Sequence, residues 1–163
     1  MREGIRSLLA LEPNVRVVGA AADGEEAVSA IPTAQADVVL LDMRLPKLSG
    51  LDVLRRLSER GVPPPTIILT TFGDDAAVLE GIRLGARGYL LKDVSLKELV
   101  DAIRVVAGGG TAVRPVVSER VVRGLNGVEA EAAFPNDRGV HWWPGDLVDA
   151  GIQAVASWLK RNA

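Results

Sequence analysis

Three polar residues with complementary chemistry stand at the ends of apolar runs in this sequence. Asp42 follows Val-Val-Leu-Leu, Thr70 ends Thr-Ile-Ile-Leu-Thr, and Lys92 follows Tyr-Leu-Leu. A carboxylate, a hydroxyl and an ammonium group that meet at one place can accept a phosphoryl group. The carboxylate is the nucleophile, the ammonium neutralises charge on the phosphoryl oxygens, and the hydroxyl donates a hydrogen bond to one of them. Such transfers normally also use Mg²⁺, which binds carboxylates, carbonyls and water.

The segments around these residues predict an open parallel α/β sheet with helices on both faces. Continuous apolar runs without polar alternation are typical of strands that are buried on both sides, and here they alternate with helical patterns. The predicted strands are 15–21, 37–41, 66–70 and 88–91, and the predicted helices are 2–12, 24–30, 50–60, 74–84 and 95–107. Sites in such sheets lie at the carboxyl ends of the strands. We therefore expect Asp42, Thr70, Thr71, Lys92 and Asp93 to lie close together.

Composition and charge exclude several classes of protein. The chain has 163 residues, a net charge of −2 and no cysteine. The lack of cysteine excludes disulfides and thiolate metal sites and favours a cytoplasmic location. There is no basic block that would indicate nucleic acid, and no apolar run long enough to cross a membrane. Asp23, Glu25 and Glu26 are interpreted as surface or helix-capping groups.

Three segments together resemble the receiver domains of bacterial response regulators. Residues 38–51 (VVLLDMRLPKLSGL) resemble the phosphoacceptor segment of that family. Residues 68–75 (ILTTFGDD) and 85–93 (GARGYLLKD) resemble its switch-hydroxyl and lysine segments. The sequences of these segments are most similar to those of the NarL/FixJ type, whose members usually carry a C-terminal LuxR-type helix-turn-helix. The resemblance covers roughly residues 1–125, and three motifs in order are far more specific than any one of them.

The resemblance implies a role for each candidate residue in a two-component phosphorelay. Asp42 would accept a phosphoryl group from a sensor histidine kinase, Thr70 would turn toward that group, and Lys92 would pair with it. Tyr89 would be the aromatic switch that rotates inward when Thr70 moves, and Thr71 belongs to the same switch segment. Such a protein is a signalling switch in transcription regulation rather than an enzyme, with weak self-dephosphorylation as its only catalysis.

The expected Mg²⁺ site departs from the family pattern. The backbone carbonyl of Arg44 and the carboxylate of Asp42 would be ligands. The family's first strand ends in an acidic pair that completes the site, but residues 1–9 (MREGIRSLL) already resemble its first helix. We therefore expect the acidic pair to be absent and Mg²⁺ binding to be weak or impaired. The family's strand order, 2-1-3-4-5, puts the missing strand in the centre of the sheet, which favours a misassigned start over a rearranged sheet.

The sequence predicts three divisions of the chain: a receiver at 1–110, a linker helix at 111–125, and an irregular tail at 126–163. The tail ends in an amphipathic helix whose apolar stripe is Val148, Ile152, Val155 and Leu159. That helix would dock either on the helix 74–85 and helix 95–107 face, where response regulators commonly form homodimers, or on the surface that the missing strand leaves uncovered. The alternative is a frayed, disordered tail. The tail lacks a basic recognition helix, which argues against direct DNA binding by this chain.

Two other functions remain open from the sequence. One is a truncated, non-phosphorylatable receiver that acts only as an interaction module, through helix 74–85 and strand 88–91. The other is a small nucleotide- or flavin-binding α/β domain, although no glycine-rich phosphate loop follows any predicted strand.

Overall fold

The computed structural model describes residues 7–61, 63–71, 75–113 and 156–161, with Asp75 and residues 156–161 described by their backbone alone. The strands are β1 (Val15–Ala21), β2 (Val38–Asp42), β3 (Thr66–Thr70), β4 (Gly88–Leu91), β5 (Ala112–Val113) and β6 (Ala156–Arg161). The helices are α1 (Gly24–Ala30), α2 (Gly50–Glu59), α3 (Asp75–Arg83) and α4 (Leu96–Ala107), with a 3₁₀ turn at Ile31–Thr33. Residues 7–9 are also helical. None of the helices in these ranges is long and apolar enough to span a membrane.

Local signals fix where the helices begin. Ser49 precedes α2 and Ser95 precedes α4, and each forms a capping box with an acidic residue three positions later, Asp52 and Glu98. In each box the serine side chain accepts the backbone N–H of the acidic residue, and the acidic side chain accepts the backbone N–H of the serine. These exchanges satisfy backbone donors that a helix leaves unpaired at its start.

The sheet has six strands in the order β1-β6-β2-β3-β4-β5. Strands β2, β3 and β4 pair in parallel, as the sequence predicts. Strand β5, which the sequence does not predict, pairs in parallel with β4. Strand β6 lies between β1 and β2 and runs antiparallel to both of them. The expected open sheet is therefore confirmed, with one antiparallel strand in its interior.

Alternate residues of the strands enter two separate hydrophobic cores, so helices cover both faces of the sheet. Val39 and Leu41 of β2 belong to the core that α1, α2 and α3 cover. Val38 and Leu40 belong to the core that α4 and the helical residues 7–9 cover. All four side chains are completely buried, which explains why this strand reads as a continuous apolar run.

The sequence predicts a helix in the tail, and over residues 156–159 that prediction is wrong, because Ala156–Arg161 forms strand β6. In register, Trp158 stands opposite both Gly19 of β1 and Val39 of β2. Two neighbouring strands present unpaired N–H and C=O groups to the space between them, and a strand can pair those groups where a helix cannot. Of the two docking places that the sequence leaves open, residues 156–161 lie in the second, beside β2. Val148, Ile152 and Val155 are outside the described residues.

A second correction concerns the linker helix predicted at 111–125. Ala112 and Val113 form the short strand β5, opposite Gly88 and Tyr89 of β4. The backbone N–H of Ala112 donates to the carbonyl of Arg87 at 2.9 Å. The edge strand of a sheet has unpaired backbone N–H and C=O groups, and an extended segment that lies beside it can pair with them. Residues 114–125 lie outside the part of the chain that the structure describes.

Candidate functional site

The carboxyl ends of three neighbouring strands bring the predicted site residues together. Asp42 ends β2 and stands opposite Leu69 in the parallel register with β3. Thr70 ends β3, and its carbonyl accepts the backbone N–H of Lys92, just after β4, at 2.8 Å. The sheet therefore places the carboxylate, the hydroxyl and the ammonium at one edge, as the sequence predicts. Their assigned roles remain predictions.

Asp42 and Lys92 form a close ion pair below the surface. The Asp42 side chain is fully buried, the Lys92 side chain is 16% exposed, and Lys92 Nζ lies 2.5 Å from Asp42 Oδ2. The other carboxylate oxygen, Oδ1, accepts the backbone N–H of Arg44 at 2.8 Å. A buried carboxylate is costly unless charge and hydrogen bonds compensate it, and here both oxygens are compensated. The pair therefore holds a carboxylate in a fixed orientation at a strand end.

The hydroxyl of Thr70 is directed to the backbone rather than to the carboxylate. Thr70 is 7% exposed, and its Oγ1 donates a hydrogen bond to the carbonyl of Thr71 at 3.0 Å. Thr71 itself is exposed. To donate to a group bound at Asp42, the Thr70 hydroxyl would have to leave this carbonyl.

Tyr89, the predicted switch, lies in the core. It is 4% exposed, and its hydroxyl donates to the carbonyl of Ala77 in α3 at 3.0 Å and lies 3.8 Å from the sulfur of Met43. Gly81 of α3 packs against the ring, since a Cβ at that position would lie 3.1 Å from the tyrosine oxygen. Tyr89 thus joins α3 to β4 in the inward position, and its rotation stays a prediction.

Comparison with known proteins identifies the family. A model of the response regulator receiver domain matches residues 1–104. The chain belongs to the response regulator receiver family. It is 35% identical to the transcriptional regulatory protein DegU of Brevibacillus brevis, over 75% of this chain and 52% of that protein. It is 43% identical to the nitrate/nitrite response regulator NarP of Escherichia coli, over 74% of this chain and 54% of that protein.

A solved structure supports the same assignment. The crystal structure of a LuxR-family two-component response regulator from Aurantimonas sp. SI85-9A1 matches with a TM-score of 0.67 and 30% identity, covering 75% of this chain and 87% of that one. The resemblance to NarL/LuxR-type receivers is therefore confirmed. The chain spans about half the length of DegU and NarP.

The described residues of this receiver offer few clustered side-chain ligands for Mg²⁺. Among them, no three aspartate, glutamate or histidine side chains lie close enough together to hold a metal ion. At the end of β2 they supply the carboxylate of Asp42, whose Oδ2 is paired with Lys92. Mg²⁺ prefers six oxygen ligands in octahedral geometry. Weak or impaired Mg²⁺ binding stays a prediction.

The loop between β2 and α2 contains a feature that the sequence analysis missed. Lys47 adopts a positive φ of 66°, and its ammonium lies 2.7 Å from Asp23 Oδ2 and 3.4 Å from Glu25. The hydrogen bond from Lys47 holds the pKa of Asp23 below its ordinary value, and Asp23 in turn raises the pKa of Lys47. Asp23 also caps α1, as expected, by accepting the N–H groups of Glu25 and Glu26. Nothing in the sequence around Pro46, which is interpreted as part of the phosphoacceptor segment, predicts this contact.

Proposed function

We propose that this receiver accepts a phosphoryl group on Asp42 from a phosphohistidine of a sensor kinase. The observation that supports the proposal is the buried carboxylate of Asp42 at a strand end, held 2.5 Å from the ammonium of Lys92. A carboxylate in this setting is oriented for attack, and the lysine is in place to offset the negative charge that the phosphoryl group brings.

The transfer moves the phosphoryl group from nitrogen to oxygen. A carboxylate oxygen of Asp42 forms a bond to phosphorus while the P–N bond of the donor breaks. The electron pair of that bond stays on the imidazole nitrogen, which takes up a proton. The product is an acyl phosphate on Asp42. Lys92 would pair with its phosphoryl oxygens, and the Thr70 hydroxyl would be a second partner once it leaves the Thr71 carbonyl.

The proposed output is a change of shape rather than a catalysed reaction. Movement of Thr70 would alter the space beside Tyr89, which is bonded to α3 through Ala77. The partner that reads this change is proposed to be a second copy of the receiver or a transcription-regulating domain, the latter because DegU is a transcriptional regulatory protein. Weak loss of phosphate from Asp42 to water would be the only catalysis.

Labelling with a small phosphodonor tests the proposal. We expect acetyl phosphate with Mg²⁺ to label the wild-type chain and not the Asp42→Asn variant, because asparagine has no nucleophilic carboxylate. Asp101→Asn is the matched control: Asp101 is exposed on α4, so this variant should be labelled at the wild-type rate.

Labelling that persists in Asp42→Asn would refute the assignment of the acceptor. A chain that no phosphodonor labels at any Mg²⁺ concentration would instead favour the alternative, an interaction module without phosphorylation. The observation that favours the interaction module is the lack of a three-ligand metal cluster among the described residues.

A further inference from the structure

The loop of residues 43–49, which joins β2 to α2, holds a lysine in a conformation that lysine rarely adopts. Lys47 has a φ of +66°, where the Cβ of an L-residue crowds the backbone. Residues in such conformations persist when surrounding contacts hold them, and they occur often at functional sites. The contacts that hold Lys47 are therefore informative about the loop.

Besides the longer 3.4 Å ion pair of Lys47 with Glu25, three contacts fasten this loop to the start of α1. The ammonium of Lys47 pairs with Asp23 Oδ2 at 2.7 Å. The backbone N–H of Gly24 donates to the carbonyl of Pro46 at 3.1 Å. Gly24 also approaches Leu48 so closely that a Cβ on Gly24 would lie 2.6 Å from the Leu48 Cβ. Of the three contacts, the ion pair is the one that a side-chain substitution can remove without a steric clash.

Asp23 is itself held in place by α1. Its Oδ1 accepts the N–H groups of Glu25 and Glu26, both at 3.0 Å, which leaves Oδ2 directed to Lys47. Its side chain is only 17% exposed, whereas that of Lys47 is 55% exposed. A fixed carboxylate therefore anchors a lysine that would otherwise be mobile.

The near end of the same loop orients the candidate phosphoacceptor. The N–H of Arg44 donates to Asp42 Oδ1 at 2.8 Å, two residues after the strand ends. We propose that Asp23 and Lys47 are a positioning pair, which offsets the unfavourable conformation of Lys47 and so keeps Arg44 bonded to Asp42. The inference deepens the proposed phosphoacceptor function and rests on it. Neither residue of the pair contacts Asp42 directly.

Amide hydrogen exchange in the full chain, without any phosphodonor, tests the pair independently of phosphorylation. In Lys47→Ala and in Asp23→Asn we expect the amides of Gly24 and Arg44 to exchange about two- to fivefold faster, the factor that an exposed ion pair supports. Asparagine is a good N-cap, so Asp23→Asn removes the charge and keeps α1 capped. Acetyl phosphate labelling of Asp42 should slow by about the same factor in both variants.

Three control variants separate positioning from general structure. Lys47→Arg keeps the charge and should restore exchange and labelling to nearly wild-type rates. Lys47→Gly removes the ion pair and the steric cost together, so its amides should exchange more slowly than those of Lys47→Ala. Arg104→Ala removes ion pairs of α4 with Glu12 and Asp101, away from the loop, and should leave the Arg44 amide unchanged.

Two outcomes would overturn the positioning pair. One is unchanged exchange at Gly24 and Arg44 in both Lys47→Ala and Asp23→Asn. The other is faster exchange with an unaltered rate of Asp42 labelling. A wild-type chain that is never labelled, while the amides respond as expected, would overturn the proposed phosphoacceptor function instead, so the two failures are distinguishable.

Discussion

At the scale of single residues, the site depends on how one carboxylate is compensated. Asp42 is fully buried, and its two oxygens accept bonds from Lys92 and from the Arg44 backbone. The sequence could predict that Asp42 and Lys92 meet, because both stand at the ends of apolar runs that must be parallel strands. It could not predict the Asp23–Lys47 pair, because that contact depends on a positive φ at a residue that normally avoids it.

A close backbone approach explains why residue 50 is glycine. A Cβ on Gly50 would lie 2.3 Å from the carbonyl oxygen of Asp42 and 3.1 Å from the Cα of Met43. Both contacts are with backbone, which cannot move aside as a flexible side chain would. We expect Gly50→Ala to lower the free energy of unfolding by about 1–3 kcal/mol, measured by urea denaturation, and to slow labelling of Asp42.

Gly108→Ala is the matched control for that substitution. Gly108 has a helical-range φ of −81°, and a Cβ there would meet its nearest atom at 3.4 Å. We expect its effect on stability to stay within about 0.5 kcal/mol. Equal losses in the two variants would show that the contact with Asp42 is not the cause.

At the scale of elements, the sequence predicts what has a local signal. The predicted bounds are confirmed for the strands at 15–21, 66–70 and 88–91 and for the helix at 24–30. Buried apolar runs and capping residues can be recognised from neighbouring residues in the sequence. Strand β6 has no such signal. The stripe that ends in Leu159 fits the helical period, and the partners that make residues 156–161 a strand lie far away in the chain.

A disulfide can test the register of β6. Arg16 and Lys160 stand directly opposite each other, and such pairs have Cβ atoms about 4.5–5.5 Å apart, near the range that a disulfide bridges. Like charges at directly opposed positions destabilise strand pairing, so replacing both costs little. Because the chain has no cysteine of its own, Arg16→Cys/Lys160→Cys should form one intramolecular disulfide on oxidation, detected by mobility on non-reducing gels.

The control moves one cysteine by a single register step, in Arg16→Cys/Arg161→Cys, since Arg161 stands opposite Val15. This variant should oxidise much more slowly. Similar rates in both variants, or disulfides between chains only, would contradict the register of β6.

At the scale of the whole molecule, acid stability reports on the carboxylates that the fold uses. Hydrogen bonds from Lys47 to Asp23 and from Ser49 to Asp52 hold the pKa of both carboxyls below their ordinary value. A carboxyl whose pKa is lower in the folded than in the unfolded state stabilises the fold at pH values above its unfolded-state pKa. That stabilisation is lost as the pH falls through the folded value.

We therefore expect the urea midpoint to fall as the pH is lowered from about 5 to below the unfolded value of these carboxyls, near 3.9. The double variant Asp23→Asn/Asp52→Asn should be less stable at neutral pH and should lose less on acidification. A pH dependence as steep as in the wild-type chain would show that these two carboxyls do not contribute to acid stability.

The position of β6 also bears on how the molecule is made. Its neighbours β1 and β2 are synthesised before β3, β4 and β5, whereas residues 156–161 follow all of these strands. Until then the facing edges of β1 and β2 have no partner from β6, and unpaired edges attract strands from other molecules. Contacts between such distant segments also form slowly. The interior of the sheet is thus completed last, and the nascent chain depends on that late step for protection from aggregation.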